Sequence, residues 1–217
     1  MQTNLIRTET KELTNKLLKL TKMVIKNHDS AKKVLRNADK EKAVDVIDFD
    51  LKIDNLYIDI ESDIEFLIVK APVDKDLRRT MASVHIAREL ARTADYAKHI
   101  SKFVIKSHKL SESSIKRIDK VHKLFRRMLV GVEPLIKDES TEKANKIVNL
   151  YDNIDNVVKD ITHSLISSIS SKKDENKVEE RIFVLNVINA LERGADHIVN
   201  ICEMVLYINT GAHRTYR

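Results

Sequence analysis

Leu191-Glu192-Arg193-Gly194-Ala195-Asp196 repeats an earlier stretch, Leu90-Ala91-Arg92-Thr93-Ala94-Asp95, with four of six positions identical at an offset of 101 residues. The flanks keep this register: Val84 aligns with Leu185, Ile100 with Ile201, and Val104 with Val205. Self-similarity that extends beyond one motif marks an internal duplication, and the repeating unit then sets the architecture. Glu192 and Asp196 stand four apart in an otherwise apolar pattern, so on a helix their side chains lie one above the other. Asp50 and Asp54 form a second pair at this spacing, echoed by Asp152 and Asn156 at an offset of 102. Each half therefore supplies two helices that carry acidic rows.

Only three Gly and two Pro in 217 residues leave little material for hairpins or tight turns, while 42% apolar residues can fill a core, so the fold is expected to be all-α. The 39 basic and 33 acidic residues give +6 but are interleaved along the chain, which argues against a nucleic-acid partner. No run of about 18 apolar residues can cross a bilayer, and Glu9, Lys11 and Glu12 interrupt any secretory core, so a soluble cytoplasmic protein is expected. The single cysteine, Cys202, excludes an intramolecular disulfide or a cysteine metal cage and is expected in a helix interface. Phosphate-cradling glycine loops and the Gly-x-Ser-x-Gly elbow are missing from the sequence, as is the Glu-x-x-His motif of di-iron bundles. His85, His122 and His163 are scattered without a partner motif and are assigned no chemistry.

In chain order, Leu13, Leu17, Leu20 and Val24 recur at helical spacing from Thr8 to about Asn37, and Asp39 is placed to cap a second helix. That helix carries Val46, Phe49, Ile53, Leu56, Ile60 and Leu67 and stops at Ala71-Pro72, with Asp50, Asp54, Tyr57 and Glu61 in line beside the apolar stripe. Asp74 can cap a third helix running to about Ser107, and the polar Leu110-Ser111-Glu112-Ser113-Ser114 divides the halves. A fourth helix, bent or ended by Pro134, a fifth from about Ser140 closed by the serines at 167, 168, 170 and 171, and a sixth from about Asp174 to Asn209 repeat the plan. Gly211 supplies a left-handed end to the last helix, and a mobile tail from Ala212 to Arg217 follows. The expectation is two tandem three-helix bundles, 1–109 and 112–217.

Carboxylates lined up between long helices need a positive partner. Arg92 and Arg193, inside the repeated motif, offer ion pairs, whereas a metal ion is the sharper reading. Oxygen donors suit Mg, Mn, Fe or Ca, and Zn if His99 adds a nitrogen.

Ala71-Pro72-Val73-Asp74-Lys75-Asp76-Leu77-Arg78, followed by Leu90 through Ile100, resembles the first-repeat signature of the PhoU family, and Leu191 through Glu203 with Tyr207 and Thr210-Gly211 resembles its C-terminal signature. The resemblance covers essentially the whole chain. It implies a non-catalytic, homodimeric cytoplasmic regulator that restrains phosphate uptake and phosphate signalling, linking the ATPase subunit of the high-affinity phosphate ABC transporter to a sensor histidine kinase. Such a protein is peripheral to a membrane complex. It also implies iron or zinc, with Mn or Mg as alternatives, at Glu/Asp-x-x-x-Asp motifs that fall here on Asp50, Asp54, Asp95, Asp152, Glu192 and Asp196. The sequence departs from the pattern at Ala91, where the family has Glu, at Asn156, where it has Asp, and at His99, where it has Asn. The first loss removes a carboxylate, for which His99 is the candidate replacement. Alternative readings are a PhoU-like accessory protein of another phosphate carrier, or a helical-bundle metalloenzyme.

Overall fold

The computed structural model describes residues 2–70, 75–106, 109–170, 175–213, 215 and 216, with the backbone alone for 2–7, 70, 169, 170 and 175. Six helices account for nearly all of them: α1 (Gln2–Asn37), α2 (Lys40–Lys70), α3 (Lys75–Lys106), α4 (Glu112–Asp138), α5 (Thr141–Ser170) and α6 (Glu175–Thr210). The expected Ala71-Pro72 stop, the Asp74 cap, the Ser171 closure and the Asp174 start lie outside the described residues. α1 begins at Gln2, roughly one and a half turns before the start expected at Thr8.

Each half is a three-helix bundle. α1, α2 and α3 pack on one another, as do α5 and α4 against α6 and each other, and the halves meet through α1 against α4 and α3 against α6. The four inner helices thus enclose a shared core, and α2 and α5 are edge helices touching only their own half. Burial follows the sequence stripes: Leu13, Leu17, Leu20 and Val24 of α1 and Val46, Ile53, Ile60 and Leu67 of α2 are all buried. Side chains spaced seven residues apart return to the same helix face, which is why one edge of α2 is core and the opposite edge is not.

The duplication is visible in the turns. Ala38 and Glu139, 101 residues apart, both end a helix with left-handed backbone, φ 52° and 46°. The next residues, Asp39 and Ser140, each accept the backbone amide three residues on, from Lys42 at 3.0 Å and Lys143 at 3.3 Å. These side chains satisfy orphan donors at the starts of α2 and α5. Ser111 does the same for α4, accepting from Ser114.

α4 does not end at Pro134 but continues to Asp138, because Leu135 and Ile136 beyond the proline are buried and hold the chain helical; the hydrogen bond forgone is to Val130, on the exposed side. The described tail residues fold back on the molecule: His213 stacks on Tyr207, and Tyr216 donates its amide to Glu203 at 2.9 Å and its hydroxyl to Asn145 at 2.7 Å. Gly211 does turn left-handed, at φ 70°, and its amide reaches the carbonyl of Tyr207.

Candidate functional site

The first acidic row is built from α2 and α3. Asp50, 1% exposed, faces α3, where the Lys98 ammonium donates both to it and to Asp95, the latter at 2.9 Å. Burial drives the Asp50 pKa up, against the pull of Lys98 and with the added repulsion of Asp54 and Asp95. Burial works against the charge on Lys98 as well, but the hydrogen bonds from Asp50 and Asp95 outweigh it and raise its pKa. Further along, Tyr57 donates to Glu61, and burial with that carboxylate pushes the phenol up to about 12. The positive partner expected from Arg92 is therefore Lys98, four residues past the repeated Ala-Asp pair's first member. His99 is exposed and meets the edge of the Tyr96 ring instead of completing a carboxylate cluster.

The second row differs at one decisive place. Val199 occupies the position equivalent to Lys98 and is buried. Glu192 and Asp196 are half-buried on α6, while Asp152 and Asn156 are exposed on α5. Among the described residues no three His, Cys, Asp or Glu side chains come together as a metal-holding group. In the first half the donors do not suit a cation, since a lysine ammonium already bridges Asp50 and Asp95.

Between the rows runs the α3–α6 seam, on the local twofold of the repeat. Tyr96 and His197, equivalent residues of the two copies, stack with ring centroids 5.8 Å apart and planes at 29°. Glu89 accepts from His197 Nδ1 at 2.6 Å and from Asn200 at 2.9 Å. Burial opposes the charge on Glu89, but these two donors prevail and hold its carboxyl below the usual range. At the far end of the inner helices Arg79 binds Glu139 with two nitrogens and Asp76 at 2.8 Å, while Asn209 donates to the Glu139 carbonyl at 2.6 Å. α3, α6 and the α4–α5 turn are thereby tied together. These groups satisfy one another and carry no aligned nucleophile and base.

Two histidines are buried among the described residues, of which sequence reasoning left His28 unmentioned. His28 on α1 is 1% exposed, donates Nε2–H to the Thr93 carbonyl at 2.8 Å and lies 4.6 Å from the Phe125 ring. His122 on α4, expected as a surface or core residue, is buried, and neither of its nitrogens has a hydrogen-bond partner among the described residues. Burial lowers both to about 4. Cys202 is buried as expected, and burial pushes its thiol up to about 12. Nothing in the local sequence distinguishes His28; its role comes from the carbonyl and ring that other helices bring to it.

The fold and seam define a class: a duplicated six-helix scaffold with acidic rows on the edge and inner helices of each half. Residues 17–104 and 118–205 each match the PhoU domain, and the chain belongs to that family. It is 27% identical over 214 residues to the phosphate-specific transport system accessory protein PhoU homolog of Clostridium acetobutylicum, covering 97% of each chain. The homolog of the same description in Borreliella burgdorferi is 30% identical over 200 residues, 87% of each. The crystal structure of the phosphate transport system regulatory protein PhoU from Streptococcus pneumoniae superposes with a TM-score of 0.89 at 26% identity, over 96% of this chain and 99% of that one. PhoU from Pseudomonas aeruginosa, at 20% identity, shares the fold with a TM-score of 0.88 over 95% and 99% of the two chains.

Proposed function

We propose that this chain is an accessory regulator of a phosphate transport system, acting by binding partners and not by catalysis. The observation that carries the reading is the match of both halves to the PhoU domain, with near full-length similarity to relatives described as transport accessory proteins. In this reading the protein works in the cytoplasm as a homodimer, peripheral to the membrane complex. It couples the ATPase subunit of a phosphate ABC transporter to a sensor histidine kinase and restrains both when phosphate is plentiful. No helix among the described residues is long and apolar enough to cross a membrane, in keeping with a peripheral role. Regulation of this kind requires different affinities for two states of a partner.

Co-purification with the transporter ATPase subunit and with the kinase tests the proposal, with phosphate-dependent capture of each as the expected result. Capture of a secondary phosphate carrier with failure to bind the ATPase subunit would replace it by the rival accessory role. Sedimentation velocity tests the homodimer. Iron or zinc, or alternatively Mn or Mg, is a separate proposal confined to the Asp152, Glu192 and Asp196 row, which keeps the carboxylates at the Glu/Asp-x-x-x-Asp spacing on α6. Elemental analysis of wild type beside the Asp152→Ala, Glu192→Ala, Asp196→Ala triple variant decides it: metal held only by wild type supports the site, and equal content in both rejects it.

A further inference from the structure

α2 is an edge helix packed on one side only, and its otherwise polar outer side carries a line of exposed apolar side chains. Of the ten large hydrophobic side chains exposed among the described residues, six lie on α2: Val44, Leu51, Ile58, Phe66, Ile68 and Val69. Val44, Leu51 and Ile58 are spaced by seven, 47%, 61% and 57% exposed, and point away from the buried Val46, Ile53 and Ile60 line. Val44, Leu51 and Ile58 give one exposed apolar position per heptad; Glu65 takes the next, and Phe66 and Val69 carry the apolar line on to the end of the helix, about 37 Å from Val44 at the usual helical rise, a length that suits a partner helix. Among its described side chains the equivalent edge helix α5 exposes one large hydrophobic residue, Ile166, so the feature is not a by-product of the repeat.

Charge selects the occupant. α2 holds nine carboxylates against four lysines in a chain that is otherwise basic. Glu41, Asp45, Asp48, Asp59 and Glu65 fall on the solvent side beside the stripe, with Lys52 as the one lysine of its central portion. A second α2 laid against the first would set acid against acid, and an anionic membrane surface would be repelled in the same way. We propose that the outer face of α2 docks an amphipathic helix of a different protein, one whose apolar residues recur at heptad spacing and are flanked by lysine and arginine. The inference rests on α2 alone and holds or fails independently of which transport partner the protein serves.

The test uses the full-length protein and two labelled helical peptides of 28 residues with the same leucine seam, one flanked by lysine and arginine and the other by glutamate. Fluorescence anisotropy is expected to show micromolar binding of the basic peptide and none of the acidic one. Leu51→Glu with Ile58→Glu should weaken the basic peptide at least tenfold while helical circular dichroism stays unchanged, since both side chains project into solvent. Asp45→Lys, Asp48→Lys, Asp59→Lys keeps the stripe and should reverse the preference between the peptides. Failure of the basic peptide to bind wild type, or equal binding to the Leu51→Glu, Ile58→Glu variant, would overturn the proposal. So would sedimentation showing a dimer that this variant dissociates, which would make a second copy the occupant, or flotation with phosphatidylcholine vesicles that it abolishes.

Discussion

Lys98 neutralises two carboxylates on two helices with one ammonium, and its removal tests how far the first acidic row depends on it. Lys98→Met leaves Asp50 buried beside Asp54 and Asp95 with no cation. The pair is partly exposed at the lysine, 22%, so the expected loss is about 2 kcal/mol, below the 3–5 typical of fully buried pairs. Asp50→Asn in the same background should restore most of it, which a double-mutant cycle by urea unfolding measures. The second residue-scale test is pH. His28 and His122 are neutral in the folded chain with pKa near 4, against 6.5 for the ordinary side chain. As pH falls below 6.5 the unfolded chain takes up protons that the folded chain refuses until about pH 4, so stability is full above 6.5 and drains away across this window. Each ring accounts for roughly 3 kcal/mol at the acid end. His122→Leu, which replaces a buried ring by an apolar side chain, should unfold at higher urea than wild type at pH 5 and narrow the gap between pH 5 and 7.5. An unchanged gap would show that His122 is not one of the groups responsible. Neither effect could be foreseen from the sequence, because Lys98 meets Asp50 across 48 residues and His28 meets Thr93 across 65.

Helices as elements were far more legible. The apolar stripes of α1 and α2 and the Asp39 and Ser140 caps were readable, since each depends on neighbours within one or two turns. Of the two outcomes expected at Pro134, a bend or an end, the end does not occur, because the local preference was set against the burial of Leu135 and Ile136 by other helices, and burial prevailed. The acidic rows were found as patterns, but Lys98, which answers the first, was not among the candidates offered, Arg92 or a metal ion, because in-register spacing says nothing of which helix lies opposite. The turn between α1 and α2 yields a prediction. Ala38 holds φ 52°, a conformation that costs an L-residue about 1 kcal/mol. Ala38→Gly should therefore stabilise the chain by several tenths to about 1 kcal/mol, seen as a higher urea midpoint with unchanged slope. A lower midpoint would mean that the extra freedom of the unfolded glycine outweighs the relieved backbone.

Across the whole molecule the two halves are similar in plan and unequal in filling. A Cβ at Gly194 would stand 2.9 Å from Phe125, whereas the first copy has Thr93 there and Val24 at the place of Phe125. The second half sets a large ring against a glycine, and the first has two side chains of near-equal size at these places. Gly194→Ala gains about 1 kcal/mol of helix propensity but forces a fully buried ring, so a net loss of about 1 kcal/mol is expected. Phe125→Leu should be less damaging in that background than in wild type; equal damage would show that the two residues do not share the space. The same inequality has a consequence for ancestry. Packing of α3 on α6 and α1 on α4 is the kind of contact that two separate copies of one half would make around a twofold axis. Once joined in a single polypeptide the copies need no mass action to find each other, and they are freed from identity. A symmetric pair of chains must offer the same outer helix at both ends. The fused chain offers an acidic, apolar-striped α2 at one end and a plainer α5 at the other, so one molecule can stand between two unlike neighbours.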